Sequence, residues 1–330
     1  MENKNKALIA INNYIMDNIK NGVGNWISKS IKVGNKYLNK PVNYATGYEY
    51  SGINKLMLPN GFYLTYKQLK QLGGNLKKNE DGSFSKPYTI VNCWNKVFVK
   101  FTQIQEDGSE KEVIMTKSQF EREKPDYKEV LFEWTKSSYG YDRIYNLNDC
   151  ENYKEVKHDN LLAKCGNPLT TPSENRDKLC DYFVNFYATS QGIELYENDE
   201  MSFYERETDS VHIKNINTFK DANTYYEQVF HELSHSTGAE SRLNRKFATK
   251  VDNIYAKEEV VAELSAMYCL RRMGLMTNAQ MESCTEYLKS WLAQPDLVKE
   301  METDKSILIK VFNAADRAQN FIFTRKPKEN

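Results

Sequence analysis

The pentapeptide HELSH at residues 231–235 constrains this chain more than any other stretch, because it contains two of the chain's four histidines. Residues four apart on an α-helix lie on nearly the same face, so the imidazoles of His231 and His235 can reach one metal ion. Glu232 lies at the edge of that face, where its carboxylate can act as a general base on water. The spacing therefore predicts a catalytic metal site, against the alternative of an amphipathic helix that happens to contain histidines.

A catalytic zinc site needs a third protein ligand and leaves one position for water. The metzincin pattern would place a histidine at position 241, but Ser241 stands there although Gly238 is in register. Glu259 is the better candidate, because it is spaced i, i+4 from Glu263 in the helical segment "EEVVAE". In this gluzincin pattern one carboxylate binds the metal and the other holds the second ring nitrogen of a histidine ligand. Glu258 is the alternative ligand if the register differs by one residue.

Two histidines and a glutamate form a ligand set that suits Zn²⁺ and also accepts Mn²⁺ or Co²⁺. Peptide hydrolysis is the expected reaction, with Glu232 taking a proton from water and passing it to the leaving amine. Tyr225, Tyr226 and Arg242 are candidates for stabilising the oxyanion, and the sequence does not choose among them. The strand expected over residues 210–215, just before the active helix, is a candidate to pair with an extended substrate.

Strand and helix patterns predict an α+β protein with two domains. β-branched and aromatic runs after residue 86 predict strands in the first domain, and the second has short strands, the active helix and a helical remainder. Turn formers, including Gly166, Pro168 and Pro172, interrupt the polar stretch between them. We therefore predict an N-terminal α+β domain over residues 1–150, a linker over 151–173 and a gluzincin-like metallopeptidase domain over 174–330.

Charge separates the two parts of the chain. Residues 1–100 contain 15 lysines, no arginine and 5 carboxylates, a net charge of +10, whereas residues 151–330 contain 23 basic and 29 acidic residues, a net charge of −6. Lysines that alternate with aromatic residues are typical of single-stranded DNA binding, because bases stack on rings and ammonium groups meet phosphates. The alternative is that the rings belong to the core and the lysines to a solvated surface. The expected DNA contacts are Trp26, Asn43, Tyr48, Tyr50, Asn54, Tyr66, Lys67, Lys77 and Lys78.

Cysteine spacing and the first residues of the chain indicate the compartment. The six cysteines contain no C-x-x-C pair, which favours reduced thiols over a disulfide framework. The N-terminal residues interrupt every short apolar run with a polar side chain, so we expect no secretory signal and no membrane span. A cytoplasmic protein without a membrane partner is therefore expected.

Long co-linear motifs make both halves resemble the ArdC-type antirestriction proteins of conjugative plasmids and phages. In the first half these are "PVNYATGYEYSGIN", "YLTYKQLKQLGGNLKKNE" and "RIYNLNDCE". In the second half they are "FHELSHSTGAESRLNR", "YAKEEVVAELSAM", "YLKSWLAQ" and "AADRAQNFI". The resemblance implies an N-terminal single-stranded-DNA-binding domain and a C-terminal zincin-like metallopeptidase domain, with His231, His235 and Glu259 as ligands and Glu232 as the base.

The resemblance also implies a role in protecting incoming single-stranded DNA or in acting on a host protein such as a restriction component. One hypothesis is therefore a zinc metallopeptidase fused to a DNA-binding module. A second is a non-catalytic protein that coats single-stranded DNA and has a structural or vestigial metal site. A third is a regulatory peptidase that cleaves a repressor.

Overall fold

The computed structural model describes residues 2–21, 31–33, 36–38, 40–156, 177–245 and 253–323. It mixes helices and sheets, which confirms the predicted α+β class. The α-helices are α1 (Glu2–Lys20), α2 (Ile53–Met57), α3 (Tyr66–Gln71), α4 (Lys117–Glu123), α5 (Lys178–Gln191), α6 (Ala222–Ser236), α7 (Asn253–Met273), α8 (Asn278–Leu292), α9 (Pro295–Thr303) and α10 (Ile307–Phe323). The β-strands are β1 (Ile31–Val33), β2 (Lys36–Leu38), β3 (Pro41–Asn43), β4 (Gly61–Thr65), β5 (Asn75–Leu76), β6 (Tyr88–Ile104), β7 (Glu110–Thr116), β8 (Tyr127–Asn146), β9 (Cys150–Glu151), β10 (Glu194–Asp199), β11 (Phe203–Glu205) and β12 (Ser210–Lys214).

The chain divides into two compact units. The smaller unit contains Met1–Ile11 and Thr89–Asp142, and the larger unit contains Asn12–Tyr88 and Arg143–Asn330. Most of the predicted linker, from residue 157 onward, lies outside the described residues. The predicted boundaries at residues 150 and 174 therefore stay a prediction.

The smaller unit is built on a β-hairpin. β6 and β7 pair antiparallel, with Phe98 opposite Thr116 and Ile104 opposite Glu110. The turn "EDGSE" connects them, and Gly108 within it has a φ of +80°. This left-handed conformation favours glycine, which has no β-carbon to clash with the backbone.

The larger unit begins with a short sheet and its core. β3 pairs parallel with β4, and β4 pairs antiparallel with the end of β8, where Tyr63 lies opposite Asn146. Thr65 caps α3, because its hydroxyl accepts a hydrogen bond from the backbone N–H of Gln68 at 3.2 Å. The buried core of this region consists of Leu38, Val42, Tyr44, Leu64, Leu69 and Cys150.

A three-stranded sheet precedes α6 in the chain. β12 is its central strand and pairs parallel with β10 on one side and antiparallel with β11 on the other. Both edges of β12 are therefore occupied by backbone hydrogen bonds. The prediction that residues 210–215 pair with an extended substrate is wrong, because a strand needs an unpaired edge to accept another chain.

Helix α6, which carries the HELSH motif, packs closely against α7. Asp221 caps α6, since its carboxylate accepts a hydrogen bond from the Thr224 N–H at 2.8 Å. At the contact with α7, Ser234 and Ser265 are fully buried and their Oγ atoms are 2.8 Å apart. Such small side chains let the two helix backbones approach, which places the histidine face of α6 beside the glutamates of α7.

Buried polar contacts join α2 and its flanking residues to α7 and α10. The Lys55 ammonium lies 2.5 Å from the Asp316 carboxylate, and the two side chains are only 9% and 8% exposed. Arg271 donates hydrogen bonds to the Leu58 carbonyl at 2.8 Å and to Asn60 Oδ1 at 2.9 Å. The packing of α2 against α7 and α10 therefore depends on this ion pair and these hydrogen bonds. Because the groups are buried, water cannot take the place of their partners.

Two further sequence expectations concern helices and thiols. Within the described ranges, none of the helices has both the length and the apolar character needed to cross a lipid bilayer. The five cysteines in those ranges are free thiols, as predicted. Burial raises the pKa of Cys150 to about 11, so this thiol stays protonated at neutral pH.

We expect Asp316→Ala to lower the free energy of unfolding by about 3–5 kcal/mol, because it leaves the buried Lys55 ammonium without its carboxylate. The matched control is Glu286→Ala, which breaks the exposed pair with Lys289 and should cost less than about 1 kcal/mol. Urea unfolding followed by circular dichroism measures both. Equal losses in the two variants would contradict a stabilising role for the buried pair.

Candidate metal centre

Three predicted ligands meet between α6 and α7. The Nε2 atoms of His231 and His235 are 3.1 Å apart. The Glu259 carboxylate lies 3.6 Å from Nε2 of His231 and 3.4 Å from Nε2 of His235. Ligand atoms bound at 2.0–2.1 Å to one tetrahedral ion lie about 3.3 Å from each other, so the three distances fit a single bound cation.

The second nitrogen of each imidazole also faces a carboxylate. Nδ1 of His231 lies 3.5 Å from Glu263, the residue predicted for this role. Nδ1 of His235 lies 3.5 Å from Glu258, which the sequence offered only as an alternative ligand. Outer carboxylates of this kind fix the ring orientation and the tautomer, so that Nε2 faces the metal position.

Sequence reasoning missed the role of Glu258, although a signal for it exists. Consecutive helical residues point about 100° apart, so if Glu259 faces the ion, Glu258 must face another partner. That partner is Arg245, which holds Glu258 through two hydrogen bonds of 2.7 and 2.9 Å. Burial alone would raise the pKa of Glu258, but the hydrogen bonds from Arg245 and His235 outweigh burial and keep that pKa below its usual value.

The electrostatics of the cluster favour a cation. Burial disfavours the charged form of His231, but hydrogen bonds to Glu259 and Glu263 and the nearby Glu232 charge outweigh burial and raise its pKa to about 10. The carboxylates around His231 thus favour positive charge at this position, which compensates their own charge. A divalent cation supplies the same compensation, so the donor set fits a metal ion in charge as well as in distance.

Glu232 is buried beside the cluster. Its side chain is held by Gln228, one helical turn earlier, whose Nε2 donates to a Glu232 carboxylate oxygen. Only 5% of Glu232 is exposed. The predicted base is therefore fixed in position and shielded from bulk solvent.

The three oxyanion candidates all have structural partners. The Tyr225 hydroxyl donates to Glu197 at 3.1 Å, and the Tyr226 hydroxyl donates to Asp181 at 2.7 Å. The Arg242 guanidinium binds the Asp209 carboxylate and is fully buried. These hydrogen bonds hold the three side chains to carboxylates outside the metal cluster.

Asp199, His212 and Ser210 form a polar chain in the order of a catalytic triad. His212 Nδ1 lies 2.6 Å from Asp199 and His212 Nε2 lies 3.0 Å from the Ser210 hydroxyl. Ser210 is only 1% exposed, so its hydroxyl cannot reach a substrate. These hydrogen bonds instead connect the neighbouring strands β10 and β12, so His212 has a structural role.

The predicted DNA contacts differ in exposure. Asn54 is buried, and the Asn43 amide donates to the Tyr50 hydroxyl and to Gln68. Trp26 lies outside the described residues. The exposed members of the set are Tyr48, Tyr66, Lys67, Lys77 and Lys78.

The smaller unit has an aromatic surface that sequence reasoning missed. We call Phe98, Lys100, Phe132 and Trp134 the aromatic strip. Phe98 stacks on Trp134 with ring centroids 5.6 Å apart, and Lys100 Nζ lies 5.8 Å from the ring centroid of Phe132. Phe132 is 53% exposed. The available signal was the i, i+2 spacing of Phe132 and Trp134, which places both rings on one face of β8.

Two family models match the chain. The model described as the N-terminal domain of anti-restriction factor ArdC matches residues 5–141. The model described as a zincin-like metallopeptidase matches residues 184–316 and therefore includes the three clustered ligands.

Curated relatives and solved structures cover nearly the whole chain. It is 24% identical over 327 residues to the DNA primase TraC of Escherichia coli, and this match covers 96% of the chain but only 27% of that relative. It is 26% identical over 293 residues to the uncharacterized protein y4eC of Sinorhizobium fredii, covering 86% of the chain and 79% of that relative. The chain thus spans about a quarter of the length of the TraC protein.

The crystal structures of antirestriction protein ArdC from plasmid R388 have the same fold. The metal-free structure matches with a TM-score of 0.56 and 20% identity over 94% of each chain. The Mn(II)-bound structure matches with a TM-score of 0.57 and 20% identity over 96% of each chain.

We expect Glu259→Ala to weaken binding of Zn²⁺ or Mn²⁺ at least tenfold, because it removes one of three ligand atoms. Isothermal titration with each metal measures the affinity. Glu282→Gln, an exposed change on α8, is the control and should bind as the wild type does. Unchanged affinity in Glu259→Ala would show that the ligand set is wrong.

Proposed function

Because the chain is an ArdC-type protein, with an ArdC N-terminal domain and a zincin-like metallopeptidase domain, we propose that it acts in antirestriction as a metal-dependent peptidase that binds single-stranded DNA. The proposed peptidase activity rests on one observation: two imidazoles and one carboxylate meet beside the buried Glu232. Antirestriction follows from the family, and the catalytic step follows from the chemistry of these side chains.

His231, His235 and Glu259 would hold the ion, with Zn²⁺ as the expected metal and Mn²⁺ or Co²⁺ as substitutes. A bound ion supplies Lewis acidity, which polarises a peptide carbonyl and lowers the pKa of water. Glu263 and Glu258 keep the two imidazoles oriented. The Mn(II)-bound form of ArdC from plasmid R388 is consistent with a site that accepts more than one metal.

Glu232 would move the proton during hydrolysis. Its carboxylate accepts a proton from the attacking water and then delivers it to the amine nitrogen that leaves. Gln228 would hold the Glu232 carboxylate in place during both proton transfers. A restriction component of the host is the expected protein substrate, and a repressor is the alternative.

We expect Glu232→Gln to bind the metal as the wild type does and to lower peptide cleavage by about 10²- to 10⁴-fold, because only the proton transfer is lost. Mass spectrometry of a host-derived peptide library, incubated with Zn²⁺, Mn²⁺ or Co²⁺, measures cleavage. Glu282→Gln is again the control. The metal-loaded Glu232→Gln variant also serves to trap an uncleaved substrate in a pull-down.

If the wild type cleaves no peptide with any of the three metals, the result would favour the hypothesis of a non-catalytic protein that coats single-stranded DNA. In that case the protein protects DNA by coating it, and the metal has a structural role. The two hypotheses also differ in cells, because only the peptidase predicts that Glu232→Gln abolishes protection of incoming DNA.

Single-stranded DNA would bind through rings and lysines. The aromatic strip exposes Phe132 beside Lys100, an arrangement on which a base can stack while the ammonium group meets a phosphate. In the larger unit, Tyr66 is half exposed and Lys70 Nζ lies 5.4 Å from its ring centroid. The ArdC N-terminal match, over residues 5–141, includes both surfaces.

We expect Phe132→Ala to weaken binding of a dT oligonucleotide about tenfold, since loss of one stacked base costs about 1–3 kcal/mol. Fluorescence anisotropy at one fixed salt concentration measures the affinity. Tyr182→Ala removes an equally exposed ring from α5 and is the matched control. Identical affinities for the two variants would exclude the aromatic strip as a stacking platform.

A further inference from the structure

A small cavity in the larger unit is surrounded by positive charge and is distinct from the metal centre. Lys40, Lys55, Arg271 and Arg272 line it, together with Glu49 and Gln319. Its volume of about 20 Å³ is enough for one or two particles the size of water. Four cationic side chains therefore share a space that includes a single carboxylate in its wall.

Two of these cations have carboxylate partners. Lys40 lies 2.6 Å from Glu49, and Lys55 lies 2.5 Å from Asp316. Burial lowers the pKa of Lys40, and the neighbouring charges of Arg272 and Lys55 lower it further, although Glu49 opposes this. The positive charge around the cavity is thus only partly compensated by the protein.

Arg271 is a buried cation that has no carboxylate partner among the described residues. It is 6% exposed, and it donates hydrogen bonds to the carbonyls of Lys55 and Leu58 and to Asn60. Within the described ranges, no carboxylate forms an ion pair with it. Burial lowers its pKa to about 10. A buried guanidinium without a counter-charge is costly unless an anion compensates it.

Two N–H groups of the lining residues also lack an acceptor. Gln319 Oε1 accepts a hydrogen bond from Lys55 Nζ at 2.9 Å, and because an ammonium only donates, this contact fixes the orientation of the amide. Nε2 of Gln319 and Nε of Arg271 then have no hydrogen-bond partner among the described residues. Both side chains are more than nine-tenths buried.

We propose that this cavity binds one small anion, either a halide or an oxygen of a phosphate group, that accepts hydrogen bonds from Arg271 and Gln319. The anion neutralises the charge of Arg271 and supplies the missing acceptor in one step. Arg271 lies on α7, Gln319 on α10, and Lys40 and Lys55 precede β4. A bound anion therefore stabilises the packing of the two helices against the first part of the larger unit.

The test compares melting temperatures at constant ionic strength in gluconate, which is too large for the cavity, with those in chloride or in phosphate. At a tenfold excess over Kd, we expect the wild type to melt about 3 °C higher in the anion that binds. Gln319→Glu places a permanent carboxylate in the cavity wall, so this variant should lose the response. Gln71→Glu makes the same charge change on an exposed face of α3 and should keep it.

A response to chloride alone identifies a halide site, and a response to phosphate alone identifies an oxyanion site. Crystals grown in bromide give a direct readout, because anomalous scattering should locate an ion between Arg271 and Gln319. Equal melting temperatures in all three salts, or a response that persists in Gln319→Glu, would overturn the proposal. Hydration of the cavity by water alone predicts equal melting temperatures in all three salts, and none of these measurements requires a peptidase assay.

Discussion

The contact between α6 and α7 is the constraint on which the metal centre depends. Two of the predicted ligands lie on one helix and the third on the other, so the distances between them are set by how closely the helices pack. Ser234 and Ser265 are fully buried at this contact with Oγ atoms 2.8 Å apart. Larger side chains would separate the helices and move Glu259 away from both rings, and a metal site tolerates deviations of only about 0.2 Å in its bond lengths.

The carboxylates around the histidines would repel one another without positive charge among them. Arg245 compensates Glu258, and its guanidinium also donates to the carbonyl of Ser234 on α6. Hydrogen bonds to Glu259 and Glu263 outweigh burial and raise the pKa of His231, so these carboxylates favour positive charge beside them. The charges of the site therefore favour a cation, and a bound metal ion would stabilise the folded chain by mass action.

Helix α7 connects the two polar regions of the larger unit. Its first half carries Glu258, Glu259 and Glu263, and its second half carries Tyr268 and Arg271. The Tyr268 hydroxyl donates to the Gly52 carbonyl at 3.0 Å. The same helix therefore contacts both the two histidines of α6 and the segment around α2. Because one continuous helix forms both contacts, displacement of its second half is expected to disturb the position of Glu259.

The amino-acid sequence by itself determined the α+β class, the cap at Thr65, and which side chains could share a metal, because helical spacing and capping depend on residues a few positions apart. Only the tertiary structure decided the partners of those side chains. Glu258 contacts His235 and Arg245, β12 is paired on both edges, and Asn54 is buried, all through residues distant in the chain. The aromatic strip likewise forms only when β6 and β8 come together. Local spacing cannot encode such contacts, since they depend on how whole helices and strands pack.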